Sequence, residues 1–163
     1  MNKNILTIIG SILIMTLSIF GLSKSVVAKE VAYLSASSAN TWLAASVKEM
    51  DAIAKANGIN ITEFDAQFDP AKQTAQLQDA IASGKYDGIV VCAIYGVGLI
   101  PDIEAAIAAG IEIVVLNQVV GADLTTSDPQ VEGIAASVLA APYRSGTRHG
   151  NLTVKACEGN DDC

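Results

Sequence analysis

Residues 58–84 read GINITEFDAQFDPAKQTAQLQDAIASG and contain one complete strand-to-helix step. The Ile-rich segment 59–64 predicts a β-strand. Asp69-Pro70 then supplies a helix N-cap followed by proline at the first helical position, where its missing N–H costs nothing. Leu77 and Ile81 fall on one stripe of the predicted helix 70–83, and Gly84 stops it.

The same step recurs along the chain. Gly58, Gly84 and Gly110 are spaced 26 residues apart, and each separates an Ala-rich stretch from an Ile/Val-rich one. Strands are predicted at 31–35, 59–64, 88–93 and 111–116, with a fifth near 131–137, and helices at 41–57, 70–83 and 98–109. Leu43, Val47, Met50 and Ala54 make the inward stripe of the first helix, with Asn57-Gly58 as its stop. Leu99, Ile103 and Ile107 do the same in the third, where Pro101 falls in the first turn. Strands and helices alternating at this length predict an α/β fold, a three-layer doubly wound parallel sheet with right-handed crossovers.

Of 163 residues, 51% are hydrophobic and 17% charged, which suits one globular domain after a leader. Lys3, the apolar stretch Ile5 to Leu22 and the small-residue tail Ser25-Val26-Val27-Ala28 read as a signal peptide over 1–28, with the mature chain starting at Lys29. An uncleaved membrane anchor is the rival reading of the same segment. No cysteine stands at the cleavage point, so no lipid anchor is expected there. Without Lys3 and Lys24, eight basic residues face 17 acidic ones, a net charge of −9 that argues against nucleic acid as a partner.

In a doubly wound sheet, ligands bind beyond the carboxyl ends of the strands. Here those tips are rich in Ser, Asn, Gln and Tyr and poor in Lys, Arg and His. Trp42, the only tryptophan, lies roughly 110° from the Leu43 stripe and should face the rim of this mouth. A flat apolar ring beside neutral hydrogen-bonding groups suits a sugar, whose C–H face stacks and whose hydroxyls both donate and accept.

At the level of motifs, Asp65-Ala66-Gln67-Phe68-Asp69-Pro70-Ala71-Lys72 followed by Leu77-Gln78-Asp79 resembles the D-x-Q-x-[ND]-P-x-K…QD pattern of bacterial ABC-transporter sugar-binding proteins of the ribose-binding type, the type I periplasmic binding proteins. Asn40-Thr41-Trp42-Leu43 matches that family's Asn-Pro-aromatic-aromatic opening of the first helix, with Leu43 in place of the second aromatic. Asn117-Gln118 stands where relatives carry Asp-Arg, and Ala93-Ile94-Tyr95 replaces their Asn-Pro.

The resemblance implies an exported, periplasmic, non-enzymatic protein that captures a sugar and delivers it to the membrane permease of an ABC transporter. It implies stacking by Trp42 and a ligand amide from Asn40; among the strand-tip residues that depart from the family pattern, Tyr95 is expected to supply a hydroxyl or a second stacking face, Asn117 and Gln118 to hydrogen-bond, and Ser35 or Ser37 to line the floor. It also implies that 29–163 is the N-terminal lobe of a two-lobed clamp whose second lobe is missing from this sequence, with Arg144 to Ala156 as the helix closing the lobe. A ligand-sensing lobe of a chemotaxis or quorum receptor is the alternative function on the same fold.

Other motifs carry less. Gly96-Val97-Gly98 follows a strand and opens a helix, but position 101 holds proline where a dinucleotide loop needs glycine or alanine, so a plain turn and no cofactor is expected. His149 is the only histidine and has no nucleophile motif near it, which points away from an enzyme. Cys92 is expected as a buried, inert thiol inside the third strand. Cys157 and Cys163 form a candidate disulfide, with a metal site as the weaker reading for want of histidine at ligand spacing. Asp69 reads as an N-cap and Asp65 as a strand-end turn residue.

Overall fold

The computed structural model describes residues 28–159. Five parallel strands, β1 (Lys29–Ser35), β2 (Ile59–Asp65), β3 (Gly88–Val91), β4 (Glu112–Leu116) and β5 (Ile134–Val138), form one sheet in the order β2-β1-β3-β4-β5. Helices α1 (Thr41–Ala56), α2 (Pro70–Ser83), α3 (Ile100–Ala108) and α4 (Pro142–Cys157) follow β1, β2, β3 and β5 respectively. The chain runs outward in one direction from β1 to β2 and in the other from β3 to β5. The crevice between β1 and β3 is therefore the topological switch point.

Two apolar layers hold the sheet. On one face Leu34, Val91, Ile113 and Val115 pack against Leu77 of α2 and Ile103 of α3. On the other, Tyr33 and Cys92 pack with Leu43, Val47 and Met50 of α1, the stripe read from the sequence. Each fully buried Leu or Ile of this kind contributes about 1.5–3 kcal/mol relative to leaving it in water. The three spaced glycines, Gly58, Gly84 and Gly110, all adopt positive φ after their helices, a conformation that only glycine reaches without strain. That shared geometry is the reason glycine stands at each of the three positions.

Three differences from expectation have local causes. First, β3 ends at Val91, short of position 93, because the Cys92 carbonyl and the Ile94 N–H bond to the side chain of Gln73 and leave the ladder. Cys92 therefore sits just past the strand, although it is buried as expected. Second, the third helix opens as a 3-10 turn at Val97–Leu99. Pro101 has no N–H to give the Val97 carbonyl, which accepts instead from Ile100. Third, α4 forms over the segment expected to close the lobe, yet it has no buried residue.

Charged pairs gather at the amino ends of the strands. Lys29 Nζ donates to Asp87 at 2.6 Å, and Glu30 accepts from Asn60 at 2.7 Å. These bonds hold the Asp87 and Glu30 carboxyls below their ordinary range. At the opposite, carboxyl end, the residues that line the cavity carry no charge.

Candidate functional site

A cavity of about 550 Å³ opens at that carboxyl end, over the switch point. Its rim carries two aromatic rings, Trp42 at the start of α1 and Phe68 in the β2–α2 loop, 54% and 57% exposed. The floor is Ala36, Leu43, Cys92 and Ala93, all buried, with Ile94 half-buried beside them. Three amide side chains, Asn40, Asn117 and Gln118, complete the lining. None of the ten lining residues is charged.

Trp42 reaches the rim because Asn40 fixes the start of α1. The Asn40 Oδ1 accepts from Trp42 N at 3.0 Å and Leu43 N at 3.1 Å, turning Leu43 to the core and Trp42 outward. With Oδ1 spent on the cap, the Nδ2 donors of Asn40 are what it offers to the cavity.

Phe68 is held by a second set of bonds. Asp65 accepts from Ser38 Oγ at 2.7 Å, Ser38 N at 3.2 Å and Gln67 N at 2.9 Å, so its carboxylate ties the loop after β1 to the loop after β2. The Ser38 and Gln67 bonds draw the Asp65 carboxyl below its ordinary range. Phe68 N then donates to Ala36 O at 2.7 Å. Gln67 and Phe68 both take left-handed backbone (φ 56° and 59°), a strained state for bulky residues that these bonds enforce. Asp69 caps α2 as expected, accepting from Ala71 N and Lys72 N.

Gln73 fixes the third side. Its fully buried amide donates to Cys92 O at 3.0 Å and accepts from Ile94 N at 2.9 Å. Gly96 lets the next turn close against β4's loop, since a Cβ there would run into the Val119 carbonyl. The Gly-Val-Gly sequence is thus a packing device.

Of the residues expected to bind ligand, Asn40, Trp42, Asn117 and Gln118 meet at this cavity. Tyr95, Ser35 and Ser37 lie outside its lining. Tyr95 projects outward with its ring over Gly98, and the second aromatic face at the cavity is that of Phe68. Ser37 is a turn residue, its Oγ accepting from Ala39 N at 3.3 Å. Ser35 is buried beneath the floor with its hydroxyl beside that of Tyr33, and neither has another hydrogen-bond partner. Burial pushes the Tyr33 phenol up to about 12. Phe68 was legible only as an aromatic at a strand tip between two polar residues, a signal the motif's capping role obscured.

Burial also raises the Cys92 thiol, against the opposing pull of the Asn117 side chain and the Ala36 N–H. The thiol is therefore protonated at neutral pH and serves as floor, not nucleophile. His149 lies exposed on α4. Among the described residues no three His, Cys, Asp or Glu side chains are grouped to hold a metal ion, and no helix is long and apolar enough to cross a membrane. Cys163 and the expected leader, apart from Ala28, lie outside the described residues.

A parallel five-stranded sheet in this order, flanked by helices and carrying its cavity at the switch point, is the lobe architecture of a type I periplasmic binding protein. The chain belongs to the periplasmic binding protein family, whose domain matches residues 31–162. The fold is similar to that of a galactofuranose binding protein (TM-score 0.67, 21% identity, 80% of this chain and 42% of that one). It is also similar to a Clostridium phytofermentans ABC transporter solute binding protein with bound β-D-glucose (0.65, 17%, 80% and 37%). A third likeness is the Caulobacter myo-inositol binding protein bound to myo-inositol (0.63, 17%, 80% and 40%). The chain spans about two-fifths of the length of these structures. No curated sequence matches it.

Proposed function

We propose that the chain is the ligand-capturing lobe of an exported, non-enzymatic solute-binding protein that delivers a neutral sugar or polyol to an ABC permease. The observation that carries this reading is the cavity's composition: two aromatic faces and three amides, with no charged side chain. Stacked C–H faces and amide hydrogen bonds suit an uncharged polyhydroxylated ring, whereas an anionic or cationic solute would lose its hydration to a site with no countercharge. Trp42 and Phe68 stack, while Asn40, Asn117 and Gln118 bond to hydroxyls. Export is supported by the Lys3 and Ile5–Leu22 pattern of the leader and by the family to which the chain belongs.

Titration of the purified chain, following Trp42 emission and binding heat together, tests the reading. D-glucose, D-galactose, D-ribose and myo-inositol are set against D-glucuronate and D-glucosamine. Saturable binding of a neutral member is expected; tighter binding of a charged one would overturn the assignment.

A further inference from the structure

We infer that the solute turns a deoxy edge, a methyl or an unsubstituted ring carbon, to the cavity floor, so that the preferred class is a neutral deoxy sugar. This rests on the sugar-binding reading and deepens it.

Polar and apolar groups are segregated by depth. The three amides belong to Asn40, Asn117 and Gln118, none of them buried, while the buried floor offers the side chains of Ala36, Leu43, Cys92 and Ala93. A floor of small side chains could still bind hydroxyls through its backbone, but here several of those backbone groups are already bonded. The Ala36 carbonyl accepts from Phe68 N at 2.7 Å, and Cys92 N donates to Leu34 O at 3.0 Å. Leu43 N goes to Asn40 at 3.1 Å. Gln73 takes the Cys92 carbonyl at 3.0 Å and the Ile94 N–H at 2.9 Å.

A sugar hydroxyl pressed onto this surface would lose its water and find methyls and a thiol, which is only a weak hydrogen-bonding group. A methyl in the same place would gain dispersion contacts and lose no hydrogen bond. The same segregation gives Gln73 a second role, as a positioning residue: by absorbing two backbone groups it keeps the floor apolar.

The experiment compares matched pairs by calorimetry on the purified full chain: D-galactose with D-fucose, L-mannose with L-rhamnose, L-galactose with L-fucose, and D-ribose with 2-deoxy-D-ribose. At least one deoxy member should bind about tenfold or more tightly than its parent, the scale set by burying a hydroxyl without a partner. Cys92→Ser, which adds a hydroxyl to the floor, should narrow or reverse that preference. Ala93→Ser makes the same test from the neighbouring position if Cys92→Ser does not fold. Saturable binding in which every parent equals or exceeds its deoxy partner would overturn the deoxy inference and leave the sugar reading standing. No binding of any of the eight, by a chain that circular dichroism shows folded, would overturn the sugar reading and this inference with it.

Discussion

The buried amide of Gln73 joins two elements that no backbone ladder connects at that level, donating to Cys92 O at 3.0 Å from α2 while the same side chain receives Ile94 N at 2.9 Å. The strand-tip loop that floors the cavity is therefore shaped by a helix side chain. Gln73→Leu keeps the volume but strands both backbone groups. It should cost about 2–4 kcal/mol, measured as a lower urea midpoint with an unchanged slope. Hydrogen exchange at Ile94 should accelerate more than at Ile113. Equal acceleration at both would mean that Gln73 supports the core and not the loop.

Asp65 makes stability depend on pH with a definite sign. Its folded carboxyl lies below the ordinary value, through Ser38 first and then Gln67. The contribution is therefore present above the unfolded carboxylate pKa of about 3.9 and lost as pH falls through the folded value. Asp65→Asn should lower the urea midpoint at pH 7 and have less effect at pH 3. A difference that persists undiminished at pH 3 would show that shape, not charge, is what Asp65 supplies.

Phe68 lines the cavity at the expense of backbone ease. Phe68→Gly relieves a left-handed φ of 59° worth about 1–2 kcal/mol, which offsets the entropy that glycine adds to the unfolded chain. The thermal midpoint should be unchanged or higher, while sugar affinity falls about tenfold with loss of a stacking face. Calorimetry suits this comparison and its counterpart Trp42→Ala, which removes the fluorescent reporter and should weaken binding at least as much. Wild-type affinity in either variant would remove that ring from the site.

Tyr33 predicts an alkaline transition. Its phenol is raised to about 12 by burial, so the neutral form is the folded one. Stability is fully present below the unfolded value near 10 and is lost between 10 and 12. Tyr33→Phe should flatten this loss. Because the buried hydroxyl has only the Ser35 hydroxyl beside it, the variant should also be as stable as the parent at pH 7 or up to about 1 kcal/mol more stable. Tyrosinate absorbance at 295 nm, followed with unfolding, separates the two effects.

The sequence determined what depends on neighbours along the chain. Alternating apolar runs and left-handed glycines marked the strands and helices, Asp69-Pro70 and Asn40 marked helix starts, and the helical angle between Leu43 and Trp42 turned the ring toward the mouth. Those rules act over a few residues, so they can be read without coordinates. What the tertiary structure decided spans separate segments: Gln73 ending β3 at Val91, Asp65 holding Ser38, and Phe68, not Tyr95, standing as the second aromatic ring at the cavity. Ser35, polar and at a strand tip, looked like a site residue until the depth of the sheet placed it below the floor. Local pattern fixes which face a side chain points from, but only packing between distant segments fixes what it meets there.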